Sequence, residues 1–382
     1  MTVYINAMAA FLPNSPVNNE QMEEMLGMVN QLPSRTRKII LRNNKIQSRH
    51  YAIDRNSRKT THSNAQLTAE AVKRLQPYSG FSVDDIECLC CGTSTPDQIM
   101  PGHASMVHGE LKGAPCEVMS GAGVCNAGMS ALKYAWMSVE SGQTANAVAT
   151  GSELTSTFMR ASLCTPPTPA KVEELEKQPM VVFEADFLRW MLSDGAGAAY
   201  LSNKANGDRL SLRIDWIDLV SFAGDMETCM YAGAEKREDG SLRGWREQYA
   251  PGEALGENSF LIKQDVKLLN QHVIKTAVDR TLPRLIEKYG LRSEDFDWFL
   301  PHYSSHYFRD TLYTHMEGIN FGIPYERWFT NLTTKGNTGS ASIYIIIEEL
   351  LASGRLKKGQ KLLCFIPESG RFSMCYMALT VV

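Results

Sequence analysis

The sequence has no apolar run approaching the ~20 residues a helix needs to cross a bilayer, so no spanning helix is expected. It also lacks an excess of one charge. With 39 basic and 42 acidic residues the net charge is −3, which gives no reason to expect nucleic acid as the main partner. The first Lys or Arg is Arg35, so the start is without the basic region of a signal peptide, and Val3 to Ala7 reads better as a first strand. Paired zinc-type spacing is missing as well. The nine cysteines are scattered and odd in number, which fits a reduced, cytoplasmic chain without a metal. Cys88-Leu-Cys90-Cys91 lies inside the apolar run Ile86 to Cys91, where small thiols suit a core strand, and no second Cys/His pair has ligand spacing. The glycine-rich pieces lack the strand–GxGxxG–helix context of a dinucleotide site, so no nucleotide or flavin cofactor is expected.

What is present is a globular composition and an internal repeat. At 382 residues and 43% hydrophobic content, one large domain or two fused ones with ample core are expected. The stretch from Cys125-Asn-Ala-Gly to Ser141-Gly142 reappears from Asn337-Thr-Gly-Ser to Ser353-Gly354, sixteen residues from polar leader to Ser-Gly stop in each copy. Gly80 leads through Asp85 to Gly92, and Gly290 leads through Asp295 to His302, twelve residues both times. The chain therefore reads as a duplicated α/β unit, with residues 1–202 as one half and 203–382 as the other. Expected elements are a helix over Ser63 to Leu75, strands over Ile86 to Cys91 and Ala145 to Gly151, and a strand arriving at Leu201 after Ser193-Asp-Gly. The second half repeats this with a long helix over Lys263 to Tyr289, the strand Trp298 to Leu300, the Asn337 helix and the strand Lys361 to Ile366. A Pro- and charge-rich loop, Thr165 to Pro179, and a charged excursion, Gly233 to Asn258, interrupt the order.

Three of these positions carry chemistry. A thiol at a helix start faces unpaired N–H groups and the positive end of the dipole, so Cys125 is expected as an activated, thiolate-prone nucleophile; a small core cysteine is the structural alternative. His302 ends an apolar strand, where an imidazole can hold or move a proton. Asn337 starts the matching helix, where it can cap or donate an amide N–H to a developing oxyanion. Glu153, after the strand that follows the Cys125 helix, is a candidate base for taking an α-proton, and Glu184 and Asp186 are rivals.

These residues carry a resemblance. Gly123-Val-Cys125-Asn-Ala-Gly128, Asp194-Gly-Ala-Gly-Ala198, Asp297-Trp-Phe-Leu-Pro-His302, Gly336-Asn337-Thr338, the glycine turn near Gly370 and Asn44-Lys-Ile-Gln-Ser-Arg49-His50 are similar to those of thiolase-superfamily condensing enzymes of the ketoacyl synthase III type. The resemblance spans nearly the whole chain. It implies a five-layered αβαβα fold, a homodimer, and acyl transfer to Cys125 from an acyl-carrier protein or coenzyme A thioester. It implies that His302 and Asn337 assist the carbanion, and that the N–H groups of Cys125 and of the Ser369-Gly370 turn form an oxyanion hole. Met100, before Pro101, would reach into the neighbouring subunit's acyl pocket.

The chain departs from that pattern in places. His302-Tyr-Ser-Ser305 stands where the family has His-Gln-Ala-Asn, and Tyr307 replaces an expected Arg. Arg309 and the basic stretch from Arg35 to Arg42 are possible substitutes for the carrier contacts. The C-terminal glycine run is Pro367-Glu368-Ser369-Gly370-Arg371-Phe372. Such departures resemble the branch that joins two acyl chains, including enzymes that form dialkylresorcinols or cyclohexanediones from β-ketoacyl thioesters. Three other functions fit the same residues: a priming synthase using malonyl thioester, a cysteine hydrolase, and a non-catalytic subunit of a heterodimer.

Overall fold

The structure is a computed structural model describing residues 1–29, 33–34, 36–78, 80–163, 187–248 and 260–382. The Thr165–Pro179 loop, Glu184, Asp186, Arg35 and residues 249–258 of the charged excursion lie outside the described residues.

Nine strands make the main sheet: β1 (Tyr4–Phe11), β2 (Cys88–Thr93), β3 (Glu117–Ala122), β4 (Asn146–Glu153), β5 (Gly195–Ser202), β6 (Leu212–Ser221), β7 (Trp298–Pro301), β8 (Lys361–Glu368) and β9 (Ser373–Val381). Their spatial order is β3-β2-β4-β5-β1-β6-β9-β8-β7, and beyond β7 a parallel bridge joins Phe299 to Trp328. Read outward from the β1–β6 junction, both sides follow one plan. The first strand pairs antiparallel with the last of its half (β1 with β5, β6 with β9), which pairs antiparallel with the strand before it. That strand is parallel to the next (β4 to β2, β8 to β7). The junction is short, Tyr4 and Ile5 against Arg213 and Leu212. This mirror order is the structural counterpart of the repeat in the sequence.

The helices follow the sequence signals closely. α1 (Asn64–Lys73) starts with a capping box, Ser63 accepting from Gln66 N–H and Gln66 from Ser63 N–H. α2 (Ala127–Ser141) ends on Gly142 in the left-handed region, as a Ser-Gly stop requires. The expected long helix is α3 (Val266–Lys275), a π-helical turn (Thr276–Thr281) and α4 (Leu282–Tyr289) in one run. α5 (Ser342–Ala352) is apolar around most of its circumference, and Ile343, Tyr344, Ile345, Ile346, Ile347 and Leu350 are all buried. Such a helix belongs between layers, and each of those side chains contributes roughly 1.5–3 kcal/mol relative to exposure.

α2 and α5, the two repeat copies, pack on each other. The Tyr344 hydroxyl donates to Gly128 O at 2.8 Å. A Cβ at Gly128 or at Gly151 would collide with the Ser340 carbonyl, so only glycine allows the approach. The run Cys88–Cys91 lies in the fully buried β2, with Cys88 Sγ 3.4 Å from Cys90 Sγ.

Candidate active site

Cys125 and Asn337 each stand two residues before their helical segments, which begin at Ala127 and Gly339. The offset places both in the turn ahead of a central helix, Cys125 after β3 and Asn337 after a short helical turn, Leu332–Lys335. Cys125 is 8% exposed. The N–H groups of Val124 and Asn126, on either side of it, both donate to Oε2 of Glu368, at 3.1 and 2.9 Å. Asn126 also ties the turn to β9, its Nδ2 donating to Ser373 O at 2.9 Å. This corrects the expectation of a thiolate. Burial pushes the Cys125 thiol well above its ordinary range, the charges of Glu368 and then Glu153 push it further, and only its own N–H acts in the opposite direction. The helix start does not overcome burial and two acids, so the sulfur rests as a thiol.

Glu153, at the end of β4, is buried and accepts from four donors. Ser94 N–H (3.3 Å) and Ser340 N–H (3.2 Å) reach Oε1, while the hydroxyls of Ser94 (2.5 Å) and Thr95 (3.0 Å) reach Oε2. Burial raises its pKa, and these donors work against the rise. Through Ser340, Glu153 holds the turn that carries Asn337, and Ser340 Oγ donates to Ser152 O at 3.0 Å. Asn337 is fixed on its other side too. Its N–H donates to Met191 O (2.9 Å), and its carbonyl accepts from Ser193 N–H (2.8 Å). Its Oδ1 accepts from Gly339 N–H at 2.9 Å, which turns Nδ2 away from the helix and leaves it as a donor. The segment that holds Asn337 is in turn fastened by Asp194, which accepts from Ala52 N–H (2.7 Å) and Ser156 N–H (2.8 Å); burial lifts its carboxyl to about 6.

His302 follows β7 directly, its N–H donating to Phe365 O of β8 at 2.8 Å. Its ring is buried, and burial alone lowers its pKa from 6.5 to about 4, so the imidazole is neutral at pH 7 and able to accept a proton. A small cleft is lined by His302 together with Asn331, Gly336 and Ser342.

The other expected residues take distinct places. Gly370 abuts the Cys125 turn, a Cβ there lying 3.0 Å from Val124 Cγ2, and its carbonyl accepts from Cys229 N–H at 2.9 Å. Ser369 donates to Gln264 Oε1 at 3.2 Å. Met100 is far from buried, 82% exposed, beside an exposed Ile99. A larger cleft of about 460 Å³, walled by Thr60, His62, Thr95, Asp97, Leu154 and Phe158, holds none of Cys125, His302 or Asn337; Thr95 connects it to Glu153. Glu368 was not singled out from the sequence. The available signal was its place in Pro367-Glu368-Ser369-Gly370, an acid beside the C-terminal glycine turn. Among the described residues no helix is long and apolar enough to cross a membrane.

Comparison with known proteins bears on the fold and on the chain's relatives. Residues 286–367 match the family model for the C-terminal part of 3-oxoacyl-[acyl-carrier-protein] synthase III. A beta-ketoacyl-[acyl-carrier-protein] synthase III of Xanthomonas axonopodis is 26% identical over 361 residues, covering 93% of this chain and 91% of the relative. The enzyme of the same name from Clostridium perfringens is 24% identical over 357 residues, covering 92% and 91%. Among solved structures, OleA of Xanthomonas campestris aligns with a TM-score of 0.76 at 19% identity, covering 100% of this chain and 98% of that one. The tetronic acid condensing enzyme AbyA1 gives 0.75 at 20% identity, covering 99% and 100%. The chain thus has the thiolase-like mixed α/β fold. In sequence it is similar, at 24–26% identity over most of its length, to enzymes named beta-ketoacyl-[acyl-carrier-protein] synthase III.

Proposed function

We propose that the chain forms a carbon–carbon bond between two acyl thioesters through an acyl group carried on Cys125, and that it joins two (β-keto)acyl chains, with ring closure of the product as a further step. Supply comes from acyl-carrier protein or coenzyme A thioesters. The Cys125 thiol attacks the first thioester carbonyl, the carrier sulfur leaves, and the thiol proton passes to it. The second thioester then loses an α-proton, its carbanion attacks the acyl carbonyl, and the Cys125–acyl bond breaks. His302, neutral and buried, takes and returns protons; Asn337 Nδ2 donates to the enolate oxygen; the Cys125 N–H and the Ser369-Gly370 turn receive the thioester oxyanion. Glu153 acts by positioning: its oxygens are engaged by four donors, which suits a holder of the Asn337 turn better than an open base.

The carrying observation is the mirrored setting of Cys125 and Asn337, each two residues ahead of its segment, with Ser340 packed against Gly128 and Gly151. We take residues 1–202 and 203–382 as the two duplicated halves that supply these groups. A second copy of the chain is proposed on the outer edge of β3, which is exposed along much of its length beside Ile99 and Met100. Met100 would enter the partner's acyl pocket there.

The test is intact-mass measurement after incubation with octanoyl-coenzyme A. One octanoyl group should appear on the wild type and none on Cys125→Ala. Acylation of both proteins alike, or of neither, refutes the reading.

A further inference from the structure

Glu368 puts a carboxylate at the nucleophile that the reaction as described does not use. It ends β8, and Oε2 accepts the N–H groups on both sides of Cys125. A Cβ built on Gly123 would lie 3.6 Å from Oε2, and one on Gly370 3.4 Å from Oε1. The carboxylate therefore fills the seam between the Cys125 turn and the Ser369-Gly370 turn. Unlike Glu153 it is only partly buried. Among the described residues Oε1 accepts no hydrogen bond, both bonds to the carboxylate being made by Oε2. The charges of both Glu368 and Glu153 act on the one sulfur.

We propose that Glu368 selects substrate by charge: it turns away acyl donors that carry a carboxylate, so both partners in the condensation are neutral thioesters. This rests on reading Cys125 as the acyl carrier. A malonyl-type donor brings its carboxylate within one carbon of the bond being made, close to the acylated sulfur. There it meets Glu368 and Glu153 in a poorly solvated site, where like charges repel strongly. The N–H pair that would otherwise attract an anion at a helix start is already held by Glu368 Oε2. A neutral donor meets no such penalty. Its α-carbon–hydrogen bond breaks, the electron pair forms the new bond to the acyl carbon, and the acyl–sulfur pair returns to Cys125. The proton removed from the α-carbon restores the Cys125 thiol, so no carbon dioxide is released and no further reactant is needed.

The experiment uses the full chain, preloaded with octanoyl-coenzyme A and checked by intact mass, then mixed with either malonyl-coenzyme A or a second neutral thioester, 3-oxodecanoyl-coenzyme A. Product and carbon dioxide are measured for the wild type, Glu368→Gln and Glu368→Gly. Wild type should discharge with the neutral donor and release no carbon dioxide from malonyl-coenzyme A. In both variants the ratio of malonyl to neutral turnover should rise at least about tenfold, equivalent to ~1.4 kcal/mol of repulsion removed. Wild type that decarboxylates malonyl-coenzyme A as readily as it uses the neutral donor overturns the inference, whatever the variants do. So does an unchanged ratio in variants that load normally. Failure to load octanoyl on wild type refutes the acyl-carrier reading instead, and the inference with it.

Discussion

Cys125 lies between two N–H groups that one carboxylate already holds, and this decides how its sulfur behaves. Burial and two acids keep the thiol protonated, so the proposed loading needs a proton acceptor, the role proposed for the neutral His302 ring. His302 carries a pH signature. Its folded pKa, about 4, lies below the unfolded 6.5, so the stability from the neutral ring is complete above pH 6.5 and is lost as pH falls toward 4. Between pH 7 and 4.5 the melting temperature of wild type should therefore fall more steeply than that of His302→Gln. His103, also lowered to about 4 by burial, and Asp194, raised to about 6, are the same in both proteins and cancel in the comparison. Parallel curves would mean that the ring is not desolvated. Glu153→Gln sets an amide against at least one of the donors that now meet a carboxylate, at about 1–3 kcal/mol for each donor left unsatisfied. Denaturant midpoints should drop, and acylation and condensation should fail together. A stable, normally acylated Glu153→Gln that stalls only at condensation would instead make Glu153 the base.

At the scale of elements, close approach between α2, β4 and the Asn337 turn depends on glycines. Gly151→Ala pushes a methyl into the Ser340 carbonyl, which is backbone and cannot swing aside. Such overpacking costs about 1–3 kcal/mol and should show as a lower midpoint in urea together with slower acyl discharge. An unperturbed variant would show that the turn is not tightly packed. Most elements were legible before the structure. The apolar run Ile86 to Cys91 became β2 within two residues at each end, because β-branched and small apolar residues bounded by an acidic turn suit a buried strand. Ser63 and Gly142 marked helix ends, and the structure adds Gln66 as the second half of the Ser63 cap. The repeat is what singled out Cys125, His302 and Asn337 as candidates. What the sequence concealed was partnership across distance. Glu368 reaches N–H groups more than 240 positions away, so nothing local to Cys125 announces it. For the same reason the helix-start argument predicted a thiolate: it counted the N–H groups but not the acid that occupies them.

For the whole molecule, the two sides of the sheet follow the same strand plan, and the helices after the Cys125 and Asn337 turns pack on each other. One edge of the sheet, β3, keeps unpaired backbone groups, and Val118 and Met100 beside it are exposed. Exposed edges of this kind invite pairing with another chain. The chain should sediment as a dimer at micromolar concentration, and Met100→Asp combined with Val118→Lys should shift it to monomer; a monomeric wild type would remove the partner's pocket from the account. The most direct test of the central claim is a single turnover. Octanoyl-Cys125 enzyme, freed of excess thioester, is mixed with 3-oxodecanoyl-coenzyme A, and adduct and products are followed by mass. The account predicts loss of the adduct matched by a product containing both carbon chains, with His302→Ala and Asn337→Ala holding the adduct. Release of octanoic acid alone, or an adduct that never discharges from wild type, would contradict it.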